Sequence, residues 1–97
     1  QFPFEDLKVF EPLKSLEILH IYFSKLETLN GIENLENLKD IRFVRCRHLT
    51  DISALGKSKR IKTISMESIQ NIQDFSVLEE LKAKNVKIHL LNVKQKQ

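Results

Sequence analysis

The chain is poor in the residues that bend, cross-link or anchor a protein: two glycines, two prolines, one cysteine and no tryptophan in 97 residues. So few glycines and prolines leave no flexible or extended linker. A lone cysteine, Cys46, excludes an internal disulfide and agrees with a reducing compartment. No apolar run approaches the roughly eighteen residues that a membrane-spanning helix needs. What is present, 41% hydrophobic and 30% charged residues, is the balance of a folded, water-soluble chain of one domain, 1–97.

Charge is unevenly spread. Residues 1–40 hold eight acidic and four basic side chains, a net of −4, whereas residues 41–97 hold five and twelve, a net of +7. Such asymmetry points to an uneven solvated surface or to a partner of opposite charge.

The apolar residues recur with a long period. Phe4, Leu7, Phe10, Leu13, Leu16, Leu19 and Ile21, shifted by 22, fall on Leu26, Leu29, Ile32, Leu35, Leu38, Ile41 and Phe43. A further shift of 23 reaches Leu49, Ile52 and Leu55, slips over 58–61, and resumes at Ile64 and Met66; another 23 reaches Ile72, Phe75, Leu78 and Leu81. Each unit closes on "LHI", "IRF" or "ISM", whose period of two predicts a short strand with Leu19/Ile21, Ile41/Phe43 and Ile64/Met66 inward. The period of three before it suits a 3₁₀-like arc, in which side chains at i and i+3 eclipse. An α-helix, at roughly 3.6 residues per turn, would let that stripe drift.

The stretches "LKSLEILHIYFSKLETL", "LENLKDIRFVRCRHLTDI" and "RIKTISMESIQNIQDF" resemble leucine-rich repeats, the short 22-residue class found in phosphatase regulatory subunits and bacterial internalins. The resemblance implies an α/β fold: a right-handed solenoid of about four repeats of 22–23 residues over positions 4–91, with a parallel concave sheet. One departure stands out. The family's asparagine after the strand is replaced by Ser24, Cys46 and Ile69, a sequence of falling hydrogen-bonding capacity.

Ser76 with Glu79 forms a capping-box pattern, predicting a helix over 76–84 ended by Asn85 in a left-handed conformation. "VKIHLL" reads as the last strand, with Val86 and Ile88 aligned to Ile64 and Met66, and residues 92–97 as a basic tail. No strand precedes Phe4, so a short cap, a longer solenoid or a dimer through the exposed edge is expected there.

Residues alternating with the inward ones line the concave face: His20, Arg42, Ser65 and Lys87 in one ladder; Tyr22, Val44, Glu67 and His89 in a second; Phe23, Arg45 and Ser68 in a third. Tyr and Arg are enriched at interface hot spots. The expectation is therefore a non-enzymatic, cytoplasmic module that binds another protein on this face. The alternatives are nucleic-acid or acidic-partner binding through the basic C-terminal half, or a structural segment of a larger repeat protein. Nucleic acid is disfavoured because alternation separates Arg42 from Lys57, Lys59, Arg60 and Lys62. Neither a catalytic residue nor a cofactor is expected, since Cys46 and His48 lack an orienting third group. No metal is expected, because the three histidines lie 28 and 41 residues apart. "GKSKR" is not a phosphate loop, because Asp51 stands where its first glycine is needed.

Overall fold

A computed structural model describes residues 2–95. Four strands, β1 (Ile18–Tyr22), β2 (Asp40–Val44), β3 (Thr63–Ile72) and β4 (Lys87–Gln95), form one parallel sheet in chain order. One helix, α1 (Ser76–Ala83), connects β3 to β4, so the fold is α/β. The alternation predicted for each strand is present: Leu19, Ile21, Ile41, Phe43, Ile64 and Met66 are all buried. β3 is longer than its three-residue signature because it continues past Ser68 and pairs with β4 as far as Ile72 opposite Gln95, with an irregularity after Ile69. That pairing supplies partners for the backbone around Ile69, where the side chain cannot.

Parallel strands need crossover connections. Two of these segments carry 3₁₀ turns, at Ile32–Asn34 and Ser53–Lys57, and a third such turn, Lys8–Phe10, precedes β1, as the period of three predicts. Leu26, Leu29, Ile32, Leu35, Leu38, Leu49, Ile52 and Leu55 point from them into a single apolar cluster with the inward strand residues. Ile61 ends the slip over 58–61 and is buried, whereas Arg60 is exposed.

The pairing advances by 22 residues from Ile18 to Asp40, by 23 to Thr63 and by 24 to Lys87. The last step corrects the predicted register. Ile64 faces Ile88 and Met66 faces Leu90, not Val86 and Ile88. The physical reason lies in α1: an α-helix rises about 1.5 Å per residue against about 2.0 Å for a 3₁₀ helix, so more residues are needed to cover the same path.

Each helical segment is entered through the same device. The side chains of Asp6, Thr28, Asp51 and Asp74 accept the backbone N–H two residues on, from Lys8, Asn30, Ser53 and Ser76, at 3.0, 3.2, 2.9 and 2.8 Å. The predicted Ser76–Glu79 capping box is therefore not formed; Asp74 caps α1 instead, and Ser76 makes no side-chain cap bond. At the other end Asn85 is left-handed (φ 68°), and Val86 and Asn85 donate to the carbonyls of Leu81 and Lys82, both at 3.0 Å, as a Schellman ending requires.

Ser53, through its hydroxyl and backbone N–H, holds the Asp51 carboxyl below its usual 3.8. Ser76, through its backbone N–H and hydroxyl, does the same for Asp74. A carboxyl whose folded pKa is depressed contributes stability that is present above its unfolded value and lost as pH falls through the folded one. The melting temperature is expected to fall as pH drops below about 4, with a shallower slope in Asp51→Asn/Asp74→Asn, which keeps both acceptors uncharged. An unchanged acid slope in that double variant would count against the assignment.

The segment before β1 is less buried than its spacing predicts. Leu7 is fully buried, but Phe4 is 46% and Leu13 50% exposed, and Phe10 is half-buried against Phe2. Among the described residues no layer covers them. Leu90, aligned with Met66, is likewise 45% exposed on β4. The predicted basic tail is corrected as well: residues 92–95 belong to β4, and Lys96 and Gln97 lie outside the described residues.

Candidate functional site

Side chains that alternate with the buried ones form the open face of the sheet. Register arranges them in columns: Ile18, Asp40, Thr63 and Lys87; then His20, Arg42, Ser65 and His89; then Tyr22, Val44, Glu67 and Leu91. Lys87 and His89 are both on this face, each one column away from its predicted ladder. The shift brings His89 opposite Ser65 and places Leu91, which the sequence reading missed, beside Glu67 at 64% exposure. Ile18 was missed too. It lies just ahead of "LHI", outside the alternating triplet that marked the strand. At about 4.8 Å between strands, the four strands span about 15 Å.

Val44 corrects the prediction in the opposite sense. It sits mid-sheet between Tyr22 and Glu67 and is only 8% exposed, because taller neighbours on both sides cover its short side chain. Tyr22 and Phe23, at 44% and 51% exposed, remain open to solvent on the outer strand. Phe23 is therefore not a core residue.

One residue past the ends of β1 and β2, and at the same level within β3 and β4, a fourth column has an unusual backbone. Phe23, Arg45, Ser68 and Asn92 all adopt left-handed φ values, 53°, 53°, 56° and 55°. The turn demands this conformation, since Phe23 and Arg45 donate their N–H to the carbonyls of Val44 and Glu67 at 2.9 Å, carrying the ladder past the strands. Glycine and asparagine suit such a position; a bulky residue costs about 1–2 kcal/mol. Asn92 follows that preference and Phe23 and Arg45 do not. Instead the Arg45 guanidinium lies over the Phe23 ring, 5.3 Å from its centroid, both side chains facing solvent.

Two depressions adjoin these columns. One of about 390 Å³ is lined by Arg42, Ser65, Glu67, His89 and Leu91 among others. The other, about 410 Å³, lies just past the C-terminal end of β2 and beside the C-terminal half of β3, and is lined by Arg45, Arg47, Ser68, Gln70 and Asn71. Lys57, Lys59, Arg60 and Lys62 precede β3, whereas Arg45 and Arg47 follow β2. In a parallel sheet those are opposite ends, so the two basic groups do not join into one stripe. The ion pairs of the described residues, Lys39–Glu17 at 3.1 Å and Lys82–Glu79 at 3.6 Å, involve neither Arg42, Arg45 nor Arg47.

The positions where the resemblance expects asparagine are interior. Ser24 accepts the N–H of Leu26 at 3.2 Å and donates to the Cys46 sulfur at 3.3 Å; the thiol lies 3.7 Å from the carbonyls of Ile21 and Val44. Burial pushes the Cys46 thiol pKa up, against smaller opposing effects of Ser24 and Val44. A fully buried thiol held in its neutral form is a poor nucleophile, and His48 is exposed rather than packed against it. Among the described residues no group of three or more histidine, cysteine or acidic side chains could hold a metal ion, and no helix is long and apolar enough to cross a membrane. Comparison with protein-family models, with curated proteins and with solved structures finds no match to this chain.

Proposed function

We propose that the chain is a leucine-rich-repeat solenoid that performs no chemistry of its own and docks a partner protein on the open sheet face. The observation that carries this reading is the Phe23–Arg45 pair. Two large side chains occupy backbone positions that disfavour them, and they pack on each other in solvent rather than in the core. Strain at exposed residues that adds nothing to packing is the mark of a selected surface. Tyr22 and Arg42 extend the patch across β1 and β2. The repeat reading draws support from the regular 22- to 24-residue advance of the parallel register. A sheet held by its own ladder loses little entropy on docking, which favours affinity.

The test separates binding from stability. Phe23→Asn and Arg45→Asn, at left-handed positions, are expected to keep or raise the melting temperature. The same changes, with Tyr22→Ala and Arg42→Ala, are expected to weaken a partner captured by the full chain by about 2 kcal/mol or more at a hot spot. Undiminished binding by all four variants would remove the open face from consideration.

A further inference from the structure

We propose that the depression bounded by Arg45, Arg47, Ser68, Gln70 and Asn71 binds a phosphate monoester, carried on a phosphorylated side chain of the docked partner. Its lining residues are two arginines, a serine, a glutamine and an asparagine, with no acidic residue among them. Neither guanidinium enters an ion pair among the described residues. Two arginines lining one hollow without a counter-ion raise the local potential in favour of an anion.

The rim is held in advance of any ligand. Arg45 is stacked on Phe23. Asn71 donates its Nδ2 to the Arg47 carbonyl at 3.0 Å, and Gln70 donates its Nε2 to the Asn92 carbonyl at 3.1 Å. Each carboxamide thereby spends one of its two N–H donors on backbone and keeps the other, beside the arginine side chains and the Ser68 hydroxyl. A guanidinium fork matches phosphate oxygens in pairs. A phosphate monoester carries about −1.5 to −2 charges at neutral pH, which two arginines match; a carboxylate would need only one. A nucleic-acid strand needs cations along a track, but Lys57 to Lys62 lie at the opposite end of the strands. An isolated hollow suits one doubly charged group. The partner as source rests on the docking reading above, whereas the pocket can be tested alone.

The probe is a short peptide containing phosphoserine, titrated into the full chain at constant ionic strength and followed by NMR. Parallel titrations use the unphosphorylated peptide, inorganic phosphate and a short single-stranded RNA. Saturable shifts are expected at Arg45, Arg47 and Ser68 with phosphopeptide and not with its unphosphorylated form. Arg47→Gln, an exposed change outside the proposed docking columns, is expected to weaken that binding by about tenfold or more, as loss of a charge-assisted bidentate contact should, with an unchanged melting curve. Equal responses to both peptides, shifts spread over Lys57–Lys62, or full binding by Arg47→Gln would overturn the site. Tighter binding of RNA, or of inorganic phosphate, would overturn its assignment to a phosphorylated partner. A silent titration alongside partner capture that depends on Tyr22 sinks the pocket alone; a saturable titration with capture indifferent to Tyr22 sinks the docking reading alone.

Discussion

Phe43→Ala is expected to destabilise the chain by about 3–5 kcal/mol, the range for removing a buried aromatic ring. Phe43 is the largest fully buried side chain, and it lies on β2 between Ile21 and Met66. A domain of this size has about 5–15 kcal/mol in total. The variant should therefore lose much of its margin, and its urea midpoint, followed by circular dichroism, should fall steeply. Phe4→Ala and Leu13→Ala remove apolar groups that are about half exposed and should each cost about 1 kcal/mol or less, taking half the transfer free energy of a buried side chain. If Phe4→Ala proved as damaging as Phe43→Ala, the core would lie nearer the N-terminal end than the structure places it.

Gly31→Ala should be the second most damaging change, for a backbone reason. Gly31 has φ +102°, which L side chains rarely adopt, and an added Cβ would lie 2.7 Å from the Lys8 nitrogen and 2.9 Å from the Leu7 carbonyl carbon. Both are main-chain atoms and cannot turn aside. Conformational strain alone costs about 1–3 kcal/mol, and relieving the clash must push the first segment outward, breaking the 2.9 Å bond from the Leu7 N–H to the Asn30 carbonyl. Hydrogen exchange at Leu7 should accelerate in Gly31→Ala more than exchange at Phe43. Gly56→Ala is the control: its Cβ would meet Val77 Cγ2 at 3.4 Å, an ordinary contact, with an ordinary φ. It should be neutral or stabilising by about 0.4–1 kcal/mol. Matching losses in the two variants would contradict the close approach at Gly31.

The strand positions and the parallel, sequential sheet were legible because one unit's apolar series maps onto the next: Leu19/Ile21, Ile41/Phe43 and Ile64/Met66 are buried partners, as their spacing implies. The last register was not legible. Counting 22 residues assumes a constant path per residue, and α1 changes it, so Lys87 and His89 moved by a column and Leu91 joined the face. The shared entry device was readable in principle, as a side-chain acceptor two residues ahead of the helical segment at Asp6, Asp51 and Asp74 and four ahead at Thr28. A capping box at Ser76 masked it, because both patterns place a small polar residue near a helix start.

Of the candidate site, the exposure of Tyr22 and Arg42 followed from alternation, whereas the burial of Val44 and the stacking of Arg45 on Phe23 did not. By itself the sequence determined which side chains face inward in the middle of the chain, since a side chain's face depends on local periodicity. Tertiary structure decided which residues stand beside one another, how exposed the two ends are, and that Arg45, Arg47 and Ser68 share a hollow. Those outcomes depend on the length of path each connection takes and on what lies across the strand, quantities summed over distant residues that no local pattern contains.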